Sequence, residues 1–150
     1  MKLSKLMIFS AAMLYSATLM AQIEKPVKWS YLVTKVDKDH AFVTFRALIE
    51  NGWHIYSQNT KDGGPVKTSF TFVPSKDFSL VGKTTEPKSV AHYEPTFKMN
   101  VSYFEGKVLF KQNLKVNKQP TVVKAKVEYM VCNDKQCLPP DEVEFSIPVK

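Results

Sequence analysis

Apolar side chains in this chain recur at every second position, and beyond residue 21 no segment sustains the helical interval. Val43, Phe45, Ala47 and Ile49 share one parity, as do Val108, Phe110 and Gln112. Val123, Ala125, Val127 and Tyr129 do the same, followed by Val143, Phe145 and Ile147. Period two places each set on one face of a strand. Trp29, Tyr31 and Val33 form a further set, with Val36 to His40 as the turn that follows. Trp53 to Tyr56 comes after the turn-forming pair Asn51-Gly52, and Thr68 to Val73 puts Phe70 and Phe72 together. Roughly seven or more short strands broken by Gly, Pro and Asn turns predict an all-β chain, an antiparallel β-sandwich. Two stretches read as longer loops: Ser57 to Pro65, which holds Gly63-Gly64, and Thr84 to Asn100, which holds His92, Tyr93, Pro95 and Phe97. A long loop with aromatic residues in a small sandwich is a candidate for function or for packing down on the surface.

The N-terminus has a different grammar. Lys2 and Lys5 precede an apolar run from Leu6 to Met20, and Ala21 offers a small residue for cleavage. That order of charge, apolar stretch and small residue is the pattern of a signal peptide over residues 1–21. The run is shorter than the ~20 residues a spanning helix needs. No cysteine follows it to carry a lipid anchor. The expected mature domain is residues 22–150, periplasmic or secreted, with no stable membrane insertion after cleavage.

Charge narrows the function classes. The net charge is +7, and it becomes +5 when Lys2 and Lys5 leave with the signal segment. The excess is lysine, with Arg46 the only arginine. Base and phosphate recognition draws on arginine's planar fork, so nucleic acid is not the expected partner. The lysines are interleaved with acidic residues, which describes a solvated surface. Neither Gly-x-Ser-x-Gly nor His-Glu-x-x-His occurs, so the hydrolase signatures are missing.

Cys132 and Cys137 are the only cysteines, and they bracket the polar stretch Asn133-Asp134-Lys135-Gln136 between two strand-like runs. In an exported protein such a pair is expected as a disulfide, its Cα atoms ~4.4–6.8 Å apart, at the mouth of a hairpin where a partner thiol can reach it. A domain of 129 residues (150 less 21) buries enough surface to fold without a staple. Closing so short a loop contributes only about 2 kcal/mol. The position therefore suits reactivity better than stabilisation. Met130 and either His92 or His54 with the two sulfurs would make a soft donor set for copper, but their spacing is unremarkable. No metal or other cofactor is expected.

The run Val127-Glu128-Tyr129-Met130-Val131-Cys132, continued by Cys137-Leu138-Pro139-Pro140, resembles the amino-terminal periplasmic domain of the DsbD thiol:disulfide interchange family. Asn51-Gly52-Trp53-His54-Ile55-Tyr56-Ser57 is similar to a Gly-aromatic-x-x-Tyr strand in that family, and the likeness extends over essentially the whole mature chain. The resemblance implies an immunoglobulin-like sandwich whose disulfide lies under an aromatic cap. It implies that Cys137 forms the mixed disulfide, that Cys132 resolves it, and that Tyr56 and Tyr129 flank the site. The cap aromatic is expected from the Thr84 to Asn100 loop, Tyr93 first and Phe97 second. Implied partners are thioredoxin-fold redox proteins and a separate membrane electron-transfer protein, in periplasmic redox chemistry such as cytochrome c biogenesis. The cysteine loop is one residue shorter than in the best-known members, and no electron conduit follows Lys150, so a stand-alone module is expected. The competing expectation is a secreted immunoglobulin-like interaction module in which the disulfide is inert.

Overall fold

The computed structural model describes residues 24–150, and the segments with period two all become strands. The signal peptide expected over 1–21 lies outside the described residues. In chain order the strands are β1 (Val27–Lys35), β2 (His40–Ile49), β3 (Trp53–Tyr56), β4 (Ser69–Phe72), β5 (Phe78–Thr85) and β6 (Val90–Glu94). They continue as β7 (Met99–Phe104), β8 (Lys107–Val116), β9 (Thr121–Tyr129), β10 (Val131–Asn133) and β11 (Asp141–Val149). Every pairing is antiparallel. One sheet runs β1-β2-β8-β5 and faces a second, β11-β9-β4, in an immunoglobulin-like sandwich. A third sheet, β10-β3-β7-β6, carries Cys132 on β10, and Cys137 pairs beside it in an isolated bridge.

The alternation seen in the sequence is the sandwich interior. Val43, Phe45 and Ala47 from β2 are fully buried, as are Val123 and Val127 from β9. Phe45 lies between the sheets, its ring 4.9 Å from Phe70 and 5.2 Å from Phe145. Phe110 meets Phe70 at 5.1 Å and Trp29 at 5.8 Å. Burying each large side chain contributes about 1.5–3 kcal/mol, and this shared core holds the two sheets together.

Gln112 shares parity with Val108 and Phe110 and is as buried as they are. Its amide is satisfied where β5 breaks register between Val81 and Thr85. The Oε1 accepts from Thr84 Oγ1 at 2.8 Å, and Nε2 donates to the Asn113 and Gly82 carbonyls at 2.9 and 3.3 Å. A bulge leaves carbonyls without ladder partners, and a buried polar side chain that reaches them removes the cost. Just past the end of β5, Glu86 meets the segment after β3. There its carboxylate accepts from Ser57 Oγ, from the Gln58 backbone N–H at 3.0 Å and from Asn59 Nδ2 at 2.7 Å. The end of β3, and with it Tyr56, is thereby fixed to the main sandwich.

The structure has more strands than the alternation indicated. The stretch from Thr84 to Asn100, expected as a loop, is the end of β5 followed by the hairpin β6–β7. Its turn is set locally: the Phe97 N–H reaches the Glu94 carbonyl at 3.2 Å, the Thr96 N–H reaches a Glu94 carboxylate oxygen at 3.3 Å, and Lys98 takes the left-handed conformation with φ 53°. β6 is the edge strand and has no buried residue, and such a strand needs no apolar alternation to form, so the sequence pattern did not reveal the hairpin.

Candidate functional site

Strand parity divides the third sheet into two faces. Trp53, Ile55, Phe104 and Val131 point inward and join the main core. Cys132 lies opposite His54 in the β10–β3 register, and Tyr56 lies opposite Tyr103 between β3 and β7. These four side chains occupy the other face, because opposed residues share a face and residues two apart on a strand do too.

The cysteines form a disulfide with Cα atoms 4.0 Å apart. That is closer than the range expected from sequence, and the ladder explains it. The Leu138 N–H bonds to the Val131 carbonyl at 3.0 Å and the Asn133 N–H to the Gln136 carbonyl at 2.9 Å. Cys132 and Cys137 sit between these bonds as a non-hydrogen-bonded antiparallel pair, where facing Cα atoms approach most closely. Asn133 closes the turn through its side-chain oxygen, which accepts the Lys135 and Gln136 N–H groups at 2.9 and 2.8 Å. Pro139 and Pro140 then supply no N–H donors, so pairing beside the cysteines stops and the chain crosses to begin β11 in the second sheet.

The two sulfurs have different surroundings. Cys132 is 1% exposed and packs with Tyr56, Val101, Phe97 and Met99. Cys137 is only partly buried and borders an open polar cavity of about 420 Å³, which it shares with His54, His92, Glu94, Tyr103 and Asp134. The apolar cover comes from the β6–β7 hairpin, whose tip lays Phe97 edge-on against Tyr56 at a centroid distance of 6.4 Å. Met99 reaches past it to the glycine loop, so close that a β-carbon on Gly64 would stand 2.5 Å from the Met99 sulfur.

Of the aromatic residues expected at the site, Tyr56 and Phe97 are brought to the disulfide and two are not. Tyr93 is 53% exposed and stands outside this cluster. It lies between His92 and Glu94, which face the cavity, so alternation along β6 turns it to the opposite face. Tyr129 is three residues before Cys132 and has the opposite parity. It packs in the main core against Trp29 at 5.5 Å, and its hydroxyl bonds to Asp141 at 3.2 Å. Burial, and then the Asp141 carboxylate, push its phenol up to about 12.

His54 and Tyr103 are the neighbours that sequence reasoning did not assign to the site. His54 Nε2 is 3.2 Å from the Tyr56 hydroxyl and 4.0 Å from a Glu94 carboxylate oxygen. Burial pulls its imidazole below the ordinary histidine range, and the charges of Glu94, Glu105 and Asp134 oppose that pull. The phenols of Tyr56 and Tyr103 are both raised, first by burial and then by nearby carboxylates. At neutral pH the site therefore holds uncharged rings around the sulfurs, with carboxylates at the cavity rim. The period of Trp53-His54-Ile55-Tyr56 carried this information: two apolar residues point in and two polar rings point out. Among the described residues, no group of three or more His, Cys, Asp or Glu side chains is arranged to hold a metal ion.

A family model described as thiol:disulfide interchange protein DsbD, N-terminal, matches residues 22–148. No curated protein sequence matches the chain. Among solved structures it is similar to the Neisseria meningitidis DsbD N-terminal domain in the reduced form, with a TM-score of 0.56 and 19% identity over 79% of this chain and 84% of that one. It is similar to the N-terminal periplasmic domain of ScsB from Proteus mirabilis, with a TM-score of 0.63 and 13% identity over 83% of this chain and 47% of that one. A structure of the complex between the DsbD and PilB N-terminal domains from Neisseria meningitidis is also similar, with a TM-score of 0.51 and 16% identity over 79% of this chain and 80% of that one. At these identities the likeness is one of fold.

Proposed function

The chain belongs to the family of the N-terminal domain of the thiol:disulfide interchange protein DsbD, and from that premise we propose that it is a periplasmic exchange module that passes electrons through Cys132 and Cys137 to thioredoxin-fold proteins. A solved complex of a DsbD N-terminal domain with a PilB N-terminal domain supports docking of a second protein domain on a member of this fold. A separate membrane protein would resupply the electrons. Residues 1–21 would serve as the export signal.

The observation that carries the proposal is the asymmetry of the disulfide. Cys137 borders an open cavity, while Cys132 is buried beneath Phe97 and Met99 of the β6–β7 hairpin. In the reduced domain the more accessible sulfur meets the partner first. The Cys137 thiolate attacks the partner disulfide, and a mixed disulfide forms as one partner sulfur leaves. Cys132 then attacks the Cys137 sulfur and releases the partner as a dithiol. Two electrons have moved, and the domain is left oxidised. Phe97 and Met99 would keep small thiols from short-circuiting the transfer, and partner docking would displace them.

Trapping tests the order of attack. Cys132→Ser should accumulate a stable mixed disulfide through Cys137 with a periplasmic thioredoxin-fold protein, and Cys137→Ser should trap little. Equal trapping by both variants would reject the order. Trapping by neither would favour an immunoglobulin-like interaction module with an inert disulfide.

A further inference from the structure

Cys132 is the sulfur least able to ionise unaided. It is almost fully buried, and burial disfavours a thiolate. If it resolves the mixed disulfide, as the exchange reading above requires, something must take its proton inside the closed site. The residue directly opposite it in the β10–β3 register is His54. Opposed residues on antiparallel strands place their β-carbons about 4.5–5.5 Å apart, within reach for an imidazole and a thiol. His54 also lines the cavity that Cys137 borders, so the residue opposite Cys132 opens onto the same space as Cys137.

We propose that His54 is the base that takes the thiol proton of Cys132 when Cys132 attacks the mixed disulfide at Cys137. A ring nitrogen accepts the proton as the Cys132–Cys137 bond forms and the bond from Cys137 to the partner breaks. The departing partner thiolate then takes that proton from the imidazolium. No additional oxidant or reductant is needed.

The surroundings fit both halves of the proton transfer. Before it, burial keeps the imidazole neutral near pH 7, with Nε2 held at the Tyr56 hydroxyl. After it, the imidazolium is stabilised by Glu94 at 4.0 Å from β6, by Glu105 just beyond β7 and by Asp134 in the cysteine turn. His92 on β6 opposes the charge, and Lys135 in the cysteine turn is a second cation lining the same cavity. Tyr103 packs on the ring at 4.9 Å and stays protonated.

The test follows resolution itself, using the reduced domain, hydroxyethyl disulfide as the probe, acid quenching and mass spectrometry of the Cys137 mixed disulfide. Cys132→Ser serves as the variant that cannot resolve. In the wild type the mixed disulfide should be fleeting, and its decay should lose rate as pH falls through an inflection below 6.5. His54→Gln keeps a hydrogen-bonding side chain beside Tyr56. It should slow decay about a hundredfold and replace the inflection with a steady rise towards high pH. His54→Ala should be equally slow and should regain rate on addition of imidazole, which the neighbouring cavity can admit. Decay of His54→Gln at the wild-type rate with the wild-type pH profile would overturn the assignment. So would slow decay that keeps the inflection and ignores imidazole, since that would show a merely structural role. If Cys132→Ser itself accumulates nothing, the exchange reading falls and this assignment falls with it.

Discussion

Phe97 meets the Tyr56 ring edge-on at 6.4 Å, and this contact lies over the buried side of the Cys132–Cys137 disulfide. An edge-to-face pair contributes about 1 kcal/mol beyond its buried area, which corresponds to roughly a fivefold change in the balance of open and closed forms. Phe97→Ala should therefore accelerate reduction of the disulfide by dithiothreitol about fivefold. Tyr93→Ala, on the outer face of the same hairpin, should leave the rate unchanged. Equal rates for wild type and Phe97→Ala in a stopped-flow assay would show that the hairpin does not shield the sulfurs.

Gly64 and Met99 set the second expectation. The new methyl group of Gly64→Ala would stand 2.5 Å from the Met99 sulfur, the far end of a flexible side chain, so Met99 moves and the backbone does not. The thermal midpoint should change by no more than a few degrees, as a cost near 1 kcal/mol implies. Reduction by a small thiol should nonetheless speed up, because Met99 is part of the cover. A large loss of stability with unchanged reduction would separate Gly64 from the site.

Tyr129→Phe supplies the opposite pattern. It removes the 3.2 Å bond to Asp141 and leaves the packing on Trp29 in place, for a cost of about 1 kcal/mol. Denaturant unfolding should register that loss, while the reduction rate of the disulfide should stay at the wild-type value. A changed reduction rate would place Tyr129 at the site despite its parity.

How much of this was written in the sequence depended on burial. β2, β8 and β9 alternate because one face of each is core and the other is wet, and that contrast is what a period of two records. β6 has no buried residue, so it left no such trace, and the hairpin that covers the disulfide read as a loop. The choice between Tyr93 and Phe97 turned on the parity of an unrecognised strand. Tyr129 was assigned to the site by resemblance, although its distance from Cys132 along an extended chain already turned it inward. The pairing of Cys132 with His54 was out of reach, since register between segments almost eighty residues apart is fixed by the whole fold.

Protonation of His54 should also appear in stability. Burial holds its folded value below the ordinary 6.5, so between those two values the unfolded chain binds more protons than the native one. Stability then falls as pH drops through that window and the histidine contribution levels off beneath it. Urea unfolding from pH 7.5 to 5 should show this slope in the wild type, and His54→Gln should flatten it. A slope unchanged by the substitution would assign the pH dependence to other groups.

The reduction potential of the Cys132–Cys137 pair tests the exchange function most directly. Equilibration of the mature domain with glutathione buffers, read by the fraction oxidised, should place it nearer −200 mV, where thioredoxin-fold partners can trade electrons with it. A value well below about −300 mV is that of a structural disulfide, and it would contradict electron transfer through this pair.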